Sequence, residues 1–408
     1  MNRGPVTEAV RDTTRAFRTT EHLRPKPFSP GARQRKVAVA VVAVVVATCL
    51  GLPMVSLGKS LAAPGAAPWT ARSVDWFRDH GGAPIVNGLE DWYYSSHTGA
   101  SRPPALSQLP GISSARDAPA APSGRARPDP WLPRLPARTP YPLPGEGRWQ
   151  LDRVTGDGKA AMWTSYFRPE RQYPGMLAAV AVLPRGRTVA HLVAGTLEPG
   201  GRRWPGNGSV PAAAVPDLTA TFNAGWRFQD TRAGFEIGGH GQPSMINGLA
   251  TAVITKSGQL DVRRWQPGNH RDVAAARQNL HLIVDGGVPA TGLADNAAGL
   301  WGNSRNQLQY TARTGLGVDR YGNAIFIAGT HMNLQALARA FTEVGAQTAM
   351  ELDIHPSMTF FARWAPNARH QNLPTKLLPT MQRRPDRYLE PDQRDFFYVT
   401  VRGSKLPR

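Results

Sequence analysis

A chain of 408 residues is longer than one ordinary domain and has room for a substantial core. Its 48 Lys and Arg against 29 Asp and Glu give a net charge of +19, while 41% hydrophobic residues together with 41 Gly and 37 Pro exclude a coiled coil and a wholly disordered polymer. The single cysteine, Cys49, excludes an internal disulfide and a cysteine-built zinc site.

From the N-terminus, residues 1–36 carry nine Lys and Arg against Glu8, Asp12 and Glu21. The uncharged run at 37–58 follows, long enough as a helix to cross a hydrocarbon core of roughly 30 Å. The pattern predicts a basic cytoplasmic tail over 1–36 and a transmembrane helix over 37–58, with the rest of the chain outside. That makes the protein a single-pass cell-membrane protein with an extracytoplasmic C-terminal domain. The alternative is a cleaved secretory signal, for which Ala62-Ala63 and Ala66-Ala67 supply small residues. Cys49 follows Thr48, a poor context for lipidation, and reads as a small apolar residue. The part beyond the run is itself basic, which suits phospholipid head groups, anionic wall polymers or phosphate-bearing saccharides. Nucleic acid is disfavoured, since no nucleic-acid-binding pattern appears and the domain faces outward.

Residues 59–146 read as an extracytoplasmic segment. Its first part holds Val74, Trp76, Phe77, Trp92, Tyr93 and Tyr94, which suit either the membrane surface or a dock on the domain beyond. Twelve prolines between Ser101 and Glu146 then predict an extended, semi-rigid linker or stalk. The folded domain is expected over 147–408.

Within that domain, apolar runs at 176–183, 188–197, 218–223, 250–255, 280–284, 314–318, 324–328, 348–354 and 396–401 predict strands. The turns at 256–258 and 319–323 join neighbouring runs as hairpins. One helix is marked from both ends: Asn333 caps it, Leu334, Leu337, Ala338, Phe341 and Val344 recur at helical spacing, and Gly345 ends it. Many strands with few helices predict an α+β class, a mixed or antiparallel sheet domain behind the transmembrane helix and the Pro-rich stalk.

Three stretches carry polar groups where local pattern expects none. In Phe222-Asn223-Ala224-Gly225-Trp226, Asn223 can fix a ligand hydroxyl or phosphate oxygen, or simply end a strand. In Arg313-Thr314-Gly315-Leu316-Gly317, a guanidinium beside a hydroxyl and glycines suits capture of a phosphate, although a strand-edge Arg is more often a solvated one. In the third stretch, alternation puts Glu351, Asp353 and His355 on one strand face. Two carboxylates and an imidazole serve glycosidic acid-base chemistry, could bind a divalent metal, or form a structural ion-pair cluster. There is no P-loop, nucleophile elbow or zinc-protease signature.

Taken in order, FNAGW at 222–226, LIVDGG at 282–287, RTGLGVDRYGNAIFIAG at 313–329 and NLQALARAFTEVGAQTAMELDIHPSMTFF at 333–361 resemble the motifs of the phosphodiester glycosidase family. The resemblance spans roughly residues 150–365. It implies hydrolysis of a sugar-1-phosphodiester in an envelope glycan or glycolipid, with Asp353 catalytic and Asn223, Arg313, Thr314, Ser357 and Thr359 binding substrate; Glu351 and His355 join Asp353 as catalytic candidates through their shared strand face. Metal dependence stays open. The chain departs from the family pattern at Ala224, Trp226 and Glu351, and at Ile354-His355-Pro356, which replace a run of three glycines. Pro356 has no N–H to offer a phosphate. The alternative is therefore a non-catalytic binder of anionic envelope glycans that keeps the fold and has lost hydrolysis.

Overall fold

The computed structural model describes residues 53–62, 68–96, 100–111, 127–200, 204–302 and 309–403. The chain divides into two units, Met1–Gly58 and Lys59–Arg408. Of the first, only 53–58 are described, and they are helical.

The second unit is built on strands. The first five are β1 (Gln150–Val154), β2 (Ala160–Phe167), β3 (Leu177–Leu183), β4 (Thr188–Val193) and β5 (Leu218–Asn223). A second group comprises β6 (Phe235–Ile237), β7 (His240–Gly241), β8 (Ala250–Thr255), β9 (Leu260–Arg264), β10 (Val273–Gln278), β11 (Leu282–Asp285) and β12 (Val288–Pro289). Then come β13 (Thr311–Asp319), β14 (Ala324–Met332), the helix Leu334–Val344, β15 (Ala346–Ile354), β16 (Phe361–Pro366), β17 (Asn372–Lys376) and β18 (Phe396–Val401). They assemble into an eight-stranded sheet of order β1-β2-β3-β14-β13-β15-β11-β12 and two five-stranded sheets, β7-β6-β10-β8-β9 and β17-β16-β5-β18-β4. The pairings that build these sheets are antiparallel.

Strand β3 shows why an alternating pattern is missing from its sequence. Leu177, Ala179, Ala181 and Leu183 face a core shared with Phe222 of β5 and Phe397 of β18, while Ala178, Val180 and Val182 face a second core under the helix Leu334–Val344. A strand covered on both sides reads as one continuous apolar run. The helix matches its sequence signals: the Asn333 side chain accepts from Ala336 N at 2.9 Å, and Gly345 leaves it at φ +93°. Its Phe341 lies close against β13, where a Cβ on Gly315 would stand 2.6 Å from the ring and 2.8 Å from the Met350 carbonyl. Gly315 and Gly317 therefore admit a helix, and the expectation that these glycines serve a phosphate is corrected.

Two further expectations are corrected. The transmembrane helix over 37–58 falls, up to residue 52, outside the described residues. Among the described residues no helix is long and apolar enough to cross a membrane. The expected class, a sheet domain behind a membrane-spanning helix and a stalk, gives way to a mostly β fold with few helices.

The Pro-rich segment, where described, does not stand away from the domain. Leu109 and Leu135 are buried in its cores. Prolines lack a donor but keep a carbonyl: Pro133 accepts from the Trp149 indole at 2.9 Å and Pro144 accepts from the Tyr166 hydroxyl. Asp129 takes the Trp163 indole at 3.0 Å, and Glu146 pairs with buried Arg168 at 2.7 Å.

Upstream, the helices Trp69–Phe77 and Ala83–Ser96 are joined by a wide turn at Arg78–Gly82, where Gly81 takes φ +91°. This helical pair docks on the domain through charge. Asp75 and Asp79 meet Arg227, and Glu90 meets His355, while the rings of Trp69 and Trp92 remain exposed.

Candidate active site

The site is organised by strand register. In β18, Phe396 pairs with Asn223 of β5, so the residues just before β18 lie beside those just after β5. Arg394 accordingly donates to the Gly225 carbonyl at 2.6 Å. On the other side, β15 brings Asp353 to the same end of its sheet. A cleft of about 300 Å³ opens there, within the range of small-ligand sites. Asp353, Ile354, His355 and Met358 line it from β15 and the following turn, Trp226, Arg227 and Asp230 from the segment after β5, and Gln309 and Arg394 from two further loops. Arg78, Pro84, Gly88 and Glu90 of the helical pair form one wall.

Asp353 is the carboxylate with the most altered chemistry. Burial pushes its carboxyl up to about 7, against the opposing pull of Arg394 and the hydrogen bond from Ile354 N. Arg394 Nη2 lies 3.4 Å from Asp353 Oδ2, and Ile354 N donates to Oδ1 at 3.1 Å. A carboxyl poised near neutrality inside a cleft is the usual mark of acid-base work. The neighbouring His355 shares the cleft, with Nε2 3.5 Å from Glu90 Oε2. Burial, with Arg313 and Arg78, holds its imidazole down to about 3, so it is neutral at ordinary pH. His355 also has φ +73°, a left-handed conformation, at the place where the family pattern has glycine. The backbone of His355 thus takes a shape that glycine adopts without strain.

The remaining expected site residues lie elsewhere. Arg313 and Glu351 are each 0% exposed and pair at 2.5 Å. Arg313 also donates to Met332 O at 2.9 Å and Gln309 O at 3.2 Å, so its guanidinium is spent inside the protein. Burial pushes the Glu351 carboxyl up while Arg313 opposes it. Neither group lines the cleft, and the expected trio of Glu351, Asp353 and His355 separates into one sealed and two cleft residues.

Asn223 and Thr314 are buried as a clamp. The Asn223 amide donates to Thr314 Oγ1 at 3.1 Å and accepts from Phe360 N at 3.0 Å, while the Thr314 hydroxyl donates to the Asp353 carbonyl at 3.1 Å. They hold the Asp353 backbone in place, with Asn279, whose amide donates to the carbonyls of Glu351 and Leu352 at 2.7 and 2.8 Å. Thr359 is buried beside Pro356 in a separate hollow of about 20 Å³. Ser357 is half-buried, and its carbonyl accepts from Arg383 Nε at 2.9 Å.

Sequence reasoning did not reach Arg227, Asp230, Arg394 or the supports behind them. Glu198 accepts from Arg227 Nε at 3.0 Å and lies 3.6 Å from Arg394 Nε. Its burial is outweighed by these two cations, and its carboxyl stays below the usual range. Arg277 and Asp395, both 0% exposed, pair at 2.7 Å, and Arg277 also donates to the Trp226 carbonyl. Burial raises the Asp230 carboxyl against Arg227 and Arg78. The one available signal was position: Arg227 directly follows FNAGW, whereas Arg394 is marked by nothing before the β5–β18 register is known.

A divalent metal has no evident home in this arrangement, since among the described residues no group of three or more His, Cys, Asp and Glu side chains gathers to hold one. The carboxylates nearest the cleft are instead met by arginines.

Residues 229–380 match the phosphodiester glycosidase family. Among solved structures the chain is similar to the catalytic domain of a zebrafish N-acetylglucosamine-1-phosphodiester alpha-N-acetylglucosaminidase auto-inhibited by its pro-peptide, at 15% identity over 62% of this chain and 87% of that one, with a TM-score of 0.37. It is also similar to a hypothetical protein from Synechocystis, at 13% identity over 59% of this chain and 62% of that one, TM-score 0.36. A putative exported protein from Burkholderia pseudomallei aligns at 12% identity over 55% and 74% of the two chains, TM-score 0.28. No curated protein matches the chain.

Proposed function

We propose that this chain, whose residues 229–380 carry a phosphodiester glycosidase domain, hydrolyses the bond between a sugar's anomeric carbon and a phosphodiester oxygen in a phosphate-bearing glycan or glycolipid. The observation that carries the reading is Asp353: a carboxyl held at about 7, lining a cleft and flanked by a guanidinium. A departing phosphate oxygen is far more acidic than a sugar hydroxyl and needs a cation more than a proton. Asp353 is therefore assigned to the attacking water, whose proton it takes as the hydroxyl adds to the anomeric carbon and the C–O bond to phosphate breaks. Arg394 offsets charge on the departing phosphate side. Neutral His355 can accept or donate a hydrogen bond to a sugar hydroxyl, and Trp226 offers a ring face. The Asn223–Thr314 clamp contributes by fixing the Asp353 backbone.

The test is turnover of a sugar-1-phosphodiester by the purified full chain. A general base works when ionised, so kcat/KM is expected to rise as pH passes about 7, the value to which burial lifts Asp353. Asp353→Asn is expected to lower it by about 10²–10⁴-fold with the fold retained. Turnover absent on every such substrate, with anionic glycans still retained, would instead make the protein a binder that has lost hydrolysis.

A further inference from the structure

The cleft contains more unpaired donors than a packed protein interior normally keeps. Arg227 Nη1, Arg394 Nε and Trp226 Nε1 are buried and have no hydrogen-bond partner among the described residues. All three residues line the same cavity. Buried donors of this kind are ordinarily satisfied, and three of them around one cavity point to a ligand rich in acceptors. The three residues also lie outside the stretch that matches the phosphodiester glycosidase family.

The lining sets Arg78, Arg227 and Arg394 against Glu90, Asp230 and Asp353, so it is the unsatisfied guanidinium atoms, not the net charge, that give the sign of that ligand. Glu198 reaches both guanidiniums from one side, Arg227 Nε at 3.0 Å and Arg394 Nε at 3.6 Å, and so ties the two cations together. Asp79 of the helical pair accepts from Arg227 Nη2 and, at 3.2 Å, from Gln229 Nε2. Asp75 approaches Arg227 Nη1 only to 3.8 Å, too far for a hydrogen bond. A carboxylate taking a guanidinium and a side-chain amide together makes the contacts that a phosphoryl oxygen would make. Arg313 cannot do this work, since its donors end on Glu351, Met332 and Gln309.

We propose that Arg227, Arg394 and the Trp226 indole form an anion subsite for the phosphoryl oxygens of a sugar phosphate, and that Asp79 occupies part of it as a built-in competitor. The proposal deepens the glycosidase reading and rests on its choice of cleft, but its ligand is the phosphate itself and its readout is binding.

The test is calorimetric titration of the full chain with inorganic phosphate. Asp79 is 42% exposed, and Asp79→Asn keeps the side chain's shape; it is expected to tighten phosphate binding several-fold by removing the competing charge. Arg227→Gln is expected to weaken binding roughly tenfold or more, the usual consequence of losing a charge-assisted hydrogen bond. Trp226→Phe keeps the ring and removes the donor, and should weaken binding by less. Thermal melts of each variant separate lost binding from lost folding. The proposal is overturned if phosphate affinity is the same in wild type, Asp79→Asn and folded Arg227→Gln, or if neither wild type nor Asp79→Asn binds phosphate. Phosphate binding with the expected pattern in a protein that turns over no sugar phosphodiester would remove the enzyme reading and leave the subsite. Turnover with phosphate affinity untouched by the variants would do the reverse.

Discussion

Strand β15 ends in two arginine–carboxylate pairs only two residues apart, and they do different work. Glu351 and Arg313 are sealed at 0% exposure and pair at 2.5 Å, with both remaining arms of the guanidinium tied to backbone carbonyls. Asp353 and Arg394 stand 3.4 Å apart at the cleft, with side chains 11% and 15% exposed. The inner pair is a structural bolt between β13 and β15. The outer pair is longer and keeps some exposure at the cleft, where a ligand can reach it. Residue chemistry is nearly the same in both; access to the cleft decides which one can meet a substrate.

The largest effect expected from the inner pair is on stability. Glu351→Gln leaves Arg313 as an uncompensated buried cation and should cost about 3–5 kcal/mol in denaturant unfolding. If the unfolding midpoint barely moves, the pair is not the bolt described here and the contrast with Asp353 collapses. A middle-sized effect comes from the packing that holds β13 beside it. Gly315→Ala puts a methyl 2.6 Å from the Phe341 ring and 2.8 Å from a carbonyl, which should cost about 1–3 kcal/mol while leaving the pH dependence of activity alone. A shifted pH profile would show that Gly315 serves the cleft after all. The smallest effect is at the outer pair's neighbour. His355→Gly relieves a left-handed residue worth about 1 kcal/mol, partly offset by the freer unfolded chain, so a slight gain in stability is expected. A clear loss of stability would mean that the imidazole contacts outweigh the strain.

Several elements were legible in the sequence for local reasons. The helix Leu334–Val344 carried its cap, its apolar period and its terminal glycine, and all three operate in the structure. The strand runs at 218–223, 250–255, 324–328, 348–354 and 396–401 reappear as β5, β8, β14, β15 and β18. Strands β1, β2, β6, β7, β9, β10, β12, β16 and β17 were not foreseen; in β1, β9, β16 and β17 the residues Arg153, Asp261, Arg363 and Lys376 interrupt the apolar pattern, and such side chains are accommodated by partners such as Asp152 for Arg363 at 2.6 Å. The order of motifs also identified the phosphodiester glycosidase resemblance, which the match over 229–380 bears out. The Pro-rich segment misled, since proline density forbids a ladder but does not forbid a chain from lying on a domain and offering carbonyls.

By itself the sequence determined which segments become strands or helix and which family the motifs resemble, because both depend on residues close together in the chain. Only the tertiary structure decided which polar residues face the cleft. Alternation put Glu351, Asp353 and His355 on one strand face, but position along that face, beside Arg313 of β13, sealed the first and left the other two lining the cleft. Arg394 reaches Asp353 from 41 residues away through the pairing of Phe396 with Asn223, a long-range register that no local pattern encodes.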